Sequence, residues 1–225
     1  ALGPQNGQAW SYIHSIAAAA ITAKALNLNI EQTTHAMAIA LYQPGFTLWP
    51  GFMGADSKLL TAASPTVQGI QAAQFAKAGI TGSTDVLDHP SKGFWKYFTY
   101  VSVPHMMGGL GRSWLSDTLT FKKYPGCAYI DTTMDALFEI LENFETKNRK
   151  SLCHEDIAAI NITANFLTVE MDNLSHEYRD ESCIQQTMVN FSIPLNIAIA
   201  LQTGKLGGAE LNQDSVNRNR VILNK

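Results

Sequence analysis

From Gln8 to Leu28 the apolar residues Ile13, Ile16, Ala17, Ala20, Ile21, Ala25 and Leu28 return every three or four positions, as on one face of a buried helix rich in alanine. Side chains this short let neighbouring helices approach closely, so the pattern predicts a tight helical packing unit. Thr33 to Leu41 reads as a second helix. Pro65, placed at a first turn, opens a third that runs to Ala78 and stops at Gly79. Asp88-His89-Pro90 marks a turn, Gly93 to Tyr100 reads as a short aromatic helix, and Val103 to Leu115 as another, loosened by Gly108, Gly109 and Gly111.

The texture changes near Ser116 to Thr120, a polar and strand-like segment. A helix is predicted from Thr132 to Asn143, followed by a charged loop over Glu145 to Ser151. Ile157, Ile160, Ile162, Ala164, Phe166 and Thr168 approach strand alternation with β-branched residues, which predicts a strand. Glu181 to Gln202 reads as a long helix, with Pro194 forcing a kink or break near Asn190. The expected fold class is therefore an all-α helical domain over residues 1–115 followed by an α+β, lid-like domain over 116–225. No internal repeat or low-complexity segment interrupts it.

Of 225 residues, 46% are hydrophobic and only 16% charged, with a net charge of −3, so the chain has no basic surplus to hold a phosphate backbone. Nucleic acid is not an expected partner. Neither is the membrane, because no apolar run reaches the roughly 18 residues a spanning helix needs. Cys127, Cys153 and Cys183 are odd in number and widely spread, fitting neither a disulfide framework nor a Cys-x-x-Cys metal site. A reducing compartment is expected, and no metal site. Three formal glycosylation sequons, at Asn161, Asn173 and Asn190, read as chance occurrences.

Three motifs carry more specific information. Gly54-Ala-Asp-Ser-Lys58 runs on through Gly69-Ile-Gln-Ala-Ala73 and Ala78-Gly79-Ile-Thr81-Gly82 to Gly93-Phe94, placing a lysine ahead of a small-residue helix. Phe121-Lys122-Lys123-Tyr124-Pro125-Gly126-Cys127 follows, with Asp135-Ala136 after it. Phe191-Ser-Ile-Pro194-Leu195 to Leu201, with Gly204, is the third. In this order and spacing the motifs resemble the MmgE/PrpD family, the group containing 2-methylcitrate dehydratase, cis-aconitate decarboxylase and iminodisuccinate epimerase. The resemblance extends along nearly the whole chain. It implies a lyase, a dehydratase or decarboxylase of citrate-like di- or tricarboxylates, working without metal or organic cofactor as a homodimer built through the helical domain. It also implies a fragment, since full members carry a helical segment before Ala1 and more chain after Lys225. The compartment implied is cytoplasmic or mitochondrial.

Holding two or three carboxylates calls for lysines, backbone N–H groups or helix N-termini. Resemblance makes Lys58 the active-site lysine that faces the substrate, and Lys122 a second binding or catalytic group at a cleft beside the domain boundary. On their own, Lys58 reads equally as a surface lysine and Lys122-Lys123 as an exposed basic pair. Cys127 agrees with the family pattern among the binding residues, yet as a residue it reads first as a small buried hydrophobe. Removing a proton α to a carboxylate and expelling a β-hydroxyl both need an acid/base group. Here the chain departs from the pattern: Gln8 stands where many members have histidine, Asp131 where a second histidine is usual, and Leu195 where a tyrosine is common. His14, on the apolar first helix, is the candidate replacement imidazole, with His105 a further one. The departures support an alternative in which catalysis is lost or redirected to another substrate, leaving an isomerase, a cyclase or a binding protein. Gly108-Gly109-Leu110-Gly111 lacks the preceding strand and following lysine of a phosphate loop.

Overall fold

The computed structural model describes residues 7–8, 10–98, 109–179 and 184–219. The chain divides into two compact units, Ala1–Phe52 with Asp56–Thr118, and Met53–Ala55 with Leu119–Lys225.

In the first unit, α1 (Trp10–Ala25), α2 (Ile30–Leu41) and the longer α4 (Leu60–Lys77) pack against one another. The two-residue strands β1 (Gly7–Gln8) and β2 (Thr47–Leu48) pair antiparallel, with Gln8 opposite Thr47. The short α3 (Trp49–Met53) and a 3-10 helix (Asp56–Leu59) lead into α4, while α5 (Phe94–Phe98) and a further 3-10 helix (Leu115–Thr118) follow it. The core of the three long helices is alanine. Ala23, Ala36, Ala73 and Ala76 form one buried cluster and Ala19, Ala40 and Ala72 another. Gly69 shows how near the backbones come: a Cβ built there would lie 2.2 Å from the Ser15 carbonyl oxygen and 2.7 Å from Ala18 Cβ. Aromatic rings close one end, with Tyr12 edge-on to Phe94 at 4.6 Å between centroids and Phe94 stacked on Phe98 at 4.9 Å.

Helix α2 begins earlier than its apolar pattern suggests because Asn29 and Gln32 form a reciprocal capping box, Gln32 N–H donating to Asn29 Oδ1 at 2.8 Å and Asn29 N–H to Gln32 Oε1 at 3.2 Å. Pro65 does not open the third helix but lies within it. There it has no N–H to give the Thr61 carbonyl. Gly79, at φ 91°, ends the same helix in the left-handed region. Most of the helix predicted over Val103 to Leu115, with His105 and Gly108, lies outside the described residues.

The second unit contains a 3-10 helix (Ala128–Ile130), α6 (Asp131–Asn148), a 3-10 helix (His154–Asp156), α7 (Phe166–His176), α8 (Gln186–Val189), α9 (Ile193–Thr203) and α10 (Gln213–Asn219). Its core gathers Tyr124, Ile130, Met134, Val189 and the apolar residues of α9. The chain breaks at Asn190 as Pro194 predicts, and Pro194 sits in the first turn of α9, whose Ser192 cap accepts from Leu195 N–H at 3.3 Å.

The α+β expectation is not met here: among the described residues the only strands are β1 and β2, and the second unit is helix and loop. Ser116 to Thr118 belongs to a 3-10 helix, and α6 runs on through the predicted charged loop to Asn148. No strand forms over 157–165, and Asn165 starts α7 by accepting from Thr168 N–H at 3.0 Å. The alternating Ile160 and Ile162 instead line a hollow with Ala136, Leu137 and Ile140 of α6. Ile160 and Ile162 stay exposed there, so the alternation marks neither a sheet nor a buried face.

Candidate active site

In the first unit, the 3-10 helix carrying Lys58 runs directly into α4, so residues of both elements share one wall of an open cleft of about 300 Å³. Its polar lining is Ser11, Thr47, Ser57, Thr61, Ser64 and Gln68. Ser11 and Thr47 hydroxyls pair at 2.7 Å, and Ser57 donates to the Gly51 carbonyl at 2.6 Å. Gln68 Nε2 donates to the carbonyls of Ala40 at 3.5 Å and Gln43 at 3.2 Å. Thr61 differs: its residue is 7% exposed, and its Oγ1 is buried with no hydrogen-bond partner among the described residues.

Lys58 is half-buried between cleft-lining Ser57 and Leu60, its Nζ 5.8 Å from the centroid of the Phe52 ring. A cation held against an aromatic face keeps its stem packed. Gln8 enters this region through its backbone pairing opposite Thr47. His14 is half-buried on α1, with no hydrogen bond or ion pair to a described residue. Thr61, Ser64 and Gln68 were not singled out by motif, yet with Ser57 their spacing of four, three and four is a polar stripe on a helix face.

In the second unit, Lys122, Cys127 and Asp131 lie on one turn entering α6. Lys122 Nζ donates to the Gly126 carbonyl at 2.7 Å, closing the turn on itself. Lys123 is held by Asp135 at 2.6 Å and lies 5.2 Å from the Tyr124 ring centroid; the Asp135 hydrogen bond pushes its ammonium up to about 12 and holds the Asp135 carboxyl below the usual range. Cys127 is a half-buried free thiol against the core, its N–H donating to the Asn190 carbonyl at 2.7 Å. Leu195 is itself buried core.

Asp131 is half-buried, and its Oδ1 is buried without a hydrogen-bond partner among the described residues. Burial lifts its carboxyl above the ordinary range, with Lys122 pulling it partly back and Asp135 adding to the rise. A carboxyl raised by folding favours the folded state below the unfolded value and withdraws that stability as pH climbs through the folded value. Asp131→Asn should therefore melt above the parent at neutral pH, with the gap shrinking below about pH 4. Thermal unfolding across pH measures this; a variant that melts below the parent at neutral pH would show that the charged form is the stabilised one.

Two other histidines lie beside local polar partners. His35 Nδ1 lies 3.1 Å from the Gly82 carbonyl, and His89 lies 3.9 Å from Asp85. Among the described residues, Cys153, His154 and Glu155 bring metal-type donor atoms within 4.8 Å of one another, but they are consecutive residues of a single turn. No helix among the described residues is long and apolar enough to cross a membrane.

Residues 7–104 match the MmgE/PrpD N-terminal domain. This match supports membership of the MmgE/PrpD family. No curated protein matches the chain. The matched segment includes α1, α2 and α4, the cleft and Lys58.

Proposed function

We propose that the protein is a lyase of the MmgE/PrpD type, a dehydratase or decarboxylase acting on a citrate-like di- or tricarboxylate without a metal. The observation that carries this reading is the half-buried Lys58, next in sequence to Ser57 of a cleft lined by neutral hydroxyls and an amide, inside the segment that matches the family domain. A lysine neutralises one carboxylate, and uncharged donors seat the others without repelling them. Dehydration would break a C–H bond α to a carboxylate and a C–O bond at the β carbon, releasing the proton and the hydroxyl as water. His14 on α1 is the candidate base in this unit. Lys122, Cys127 and Asp131 retain the binding and acid/base roles that resemblance assigns them, and a homodimer is the proposed assembly.

A second reading, a family member with redirected or lost catalysis, is favoured by Leu195, whose apolar side chain in the core can donate no hydrogen bond to a ligand. Assays of the protein with 2-methylcitrate and cis-aconitate separate the two. Turnover of either supports the lyase; absence of turnover of both, with a folded protein, supports the redirected reading.

A further inference from the structure

Between the 3-10 helix His154–Asp156 and α7 the chain is extended at both ends, with Ile157 at φ −99° and ψ 117° and Asn165 at φ −68° and ψ 162°. From Ala158 to Ala164 no N–H or carbonyl is hydrogen-bonded to another backbone group among the described residues. Ala158 to Thr163 are exposed, Ile160 at 46% and Ile162 at 43%. A surface loop commonly leaves its backbone to water. This one has the composition of a strand: Ile160, Ile162 and Thr163 are β-branched, and no glycine, proline or charged residue occurs from Ile157 to Val169. Proteins guard a free strand edge with charge, proline or a bulge, because bare N–H and C=O groups recruit another strand. Neither charge nor proline guards this one.

The open groups are those that one β-strand offers to another. The stretch is also complementary to itself. Antiparallel pairing centred on Asn161 sets Ile160 opposite Ile162, Ala159 opposite Thr163 and Ala158 opposite Ala164, with no charge on either side to oppose its equivalent. Further uncovered apolar surface adjoins it: Ile140 of α6 lines the same hollow, Phe166 follows Asn165, and they are 59% and 80% exposed.

We propose that residues 158–164 are a pairing strand for a second copy of this chain, the two copies forming an antiparallel ribbon about a twofold axis at Asn161. The contact lies in the second unit, so it is independent of the polycarboxylate reading and of a dimer built through the helices of the first. One strand pair with its flanking side chains is a small interface, and association is expected at about 10 to 100 µM.

Sedimentation velocity and amide hydrogen exchange, each on the whole chain across that range, test the proposal. The mass should double with concentration, and over the same interval exchange of the Ala158 to Ala164 amides should slow roughly ten-fold. Asn161 is exposed and its side chain has no hydrogen bond to a described residue, so substitution there should leave the melting temperature within about 1 °C. Asn161→Asp and Asn161→Lys each set like charges face to face across the axis and should not associate alone; mixed in equal amounts they should. A mass that does not double overturns the proposal, as does doubling without slower exchange in this segment. Association of Asn161→Asp alone with the parent's affinity, or no association in the mixture, overturns it too. Amides already protected in the smallest species would assign the edge to a strand of the same copy and overturn a second copy as its occupant.

Discussion

Gly69→Ala should destabilise the protein by about 3 kcal/mol, a drop of roughly 6 to 12 °C in melting temperature. On an isolated helix the same change would help, since alanine outranks glycine by about 1 kcal/mol. Here the added methyl would fall 2.2 Å from the Ser15 carbonyl oxygen, 2.7 Å from Ala18 Cβ and 2.8 Å from the Ala19 nitrogen. None of these atoms ends a flexible side chain, so α1 and α4 must separate, and with them the alanine clusters. Gly208 provides the control: its Cβ would meet nothing within 4 Å, and Gly208→Ala should leave the melting temperature within about 1 °C. Thermal unfolding of the two variants decides the matter, and equal melting temperatures would show that the helices yield without cost.

The largest functional effect is expected from Lys58→Ala. Removing one member of a close charge pair costs about 2 to 5 kcal/mol, which corresponds to citrate-like ligands binding thirty-fold to several thousand-fold more weakly. Of any change in stability, loss of the contact with the Phe52 ring at 5.8 Å accounts for about 0.5 to 1 kcal/mol. Lys58→Arg should retain part of the affinity by keeping the charge while altering its geometry. Titration calorimetry beside melting curves separates the two roles. Undiminished affinity of Lys58→Ala for every citrate-like ligand would remove the lysine, and with it the proposed chemistry, from this cleft.

The helices of the first unit were legible as helices, and Gly79 as the end of the third, but the buried face of α1 was not: Ile13, Ala17, Ile21 and Ala25, expected on it, are exposed, and α1 buries Tyr12, Ser15, Ala18, Ala19 and Ala23 instead. Pro65 was misplaced because the first-turn preference of proline is statistical, whereas the 3-10 turn before Leu60 lets the helix begin five residues earlier. The misread strand over Ile157 to Thr168 has a different cause: alternation says only that apolar residues recur at every second position, and here Ile160, Ile162 and Phe166 remain exposed. Within the site, Lys58 could be picked out by its motif. Thr61 could not, because an absent hydrogen bond leaves no mark in composition or spacing, although the polar stripe on which it lies does.

The alanine seam between α1, α2 and α4 also limits how this sequence can change. A core of leucine and phenylalanine can drift in both directions, one position shrinking while its neighbour grows. A seam made of the smallest side chains has no volume to give up, so there are few compensating exchanges. Substitution at Ala19, Ala40, Ala72 or Ala73 is confined to glycine, alanine and serine. In a random library these positions should emerge as the most narrowly populated in the unit.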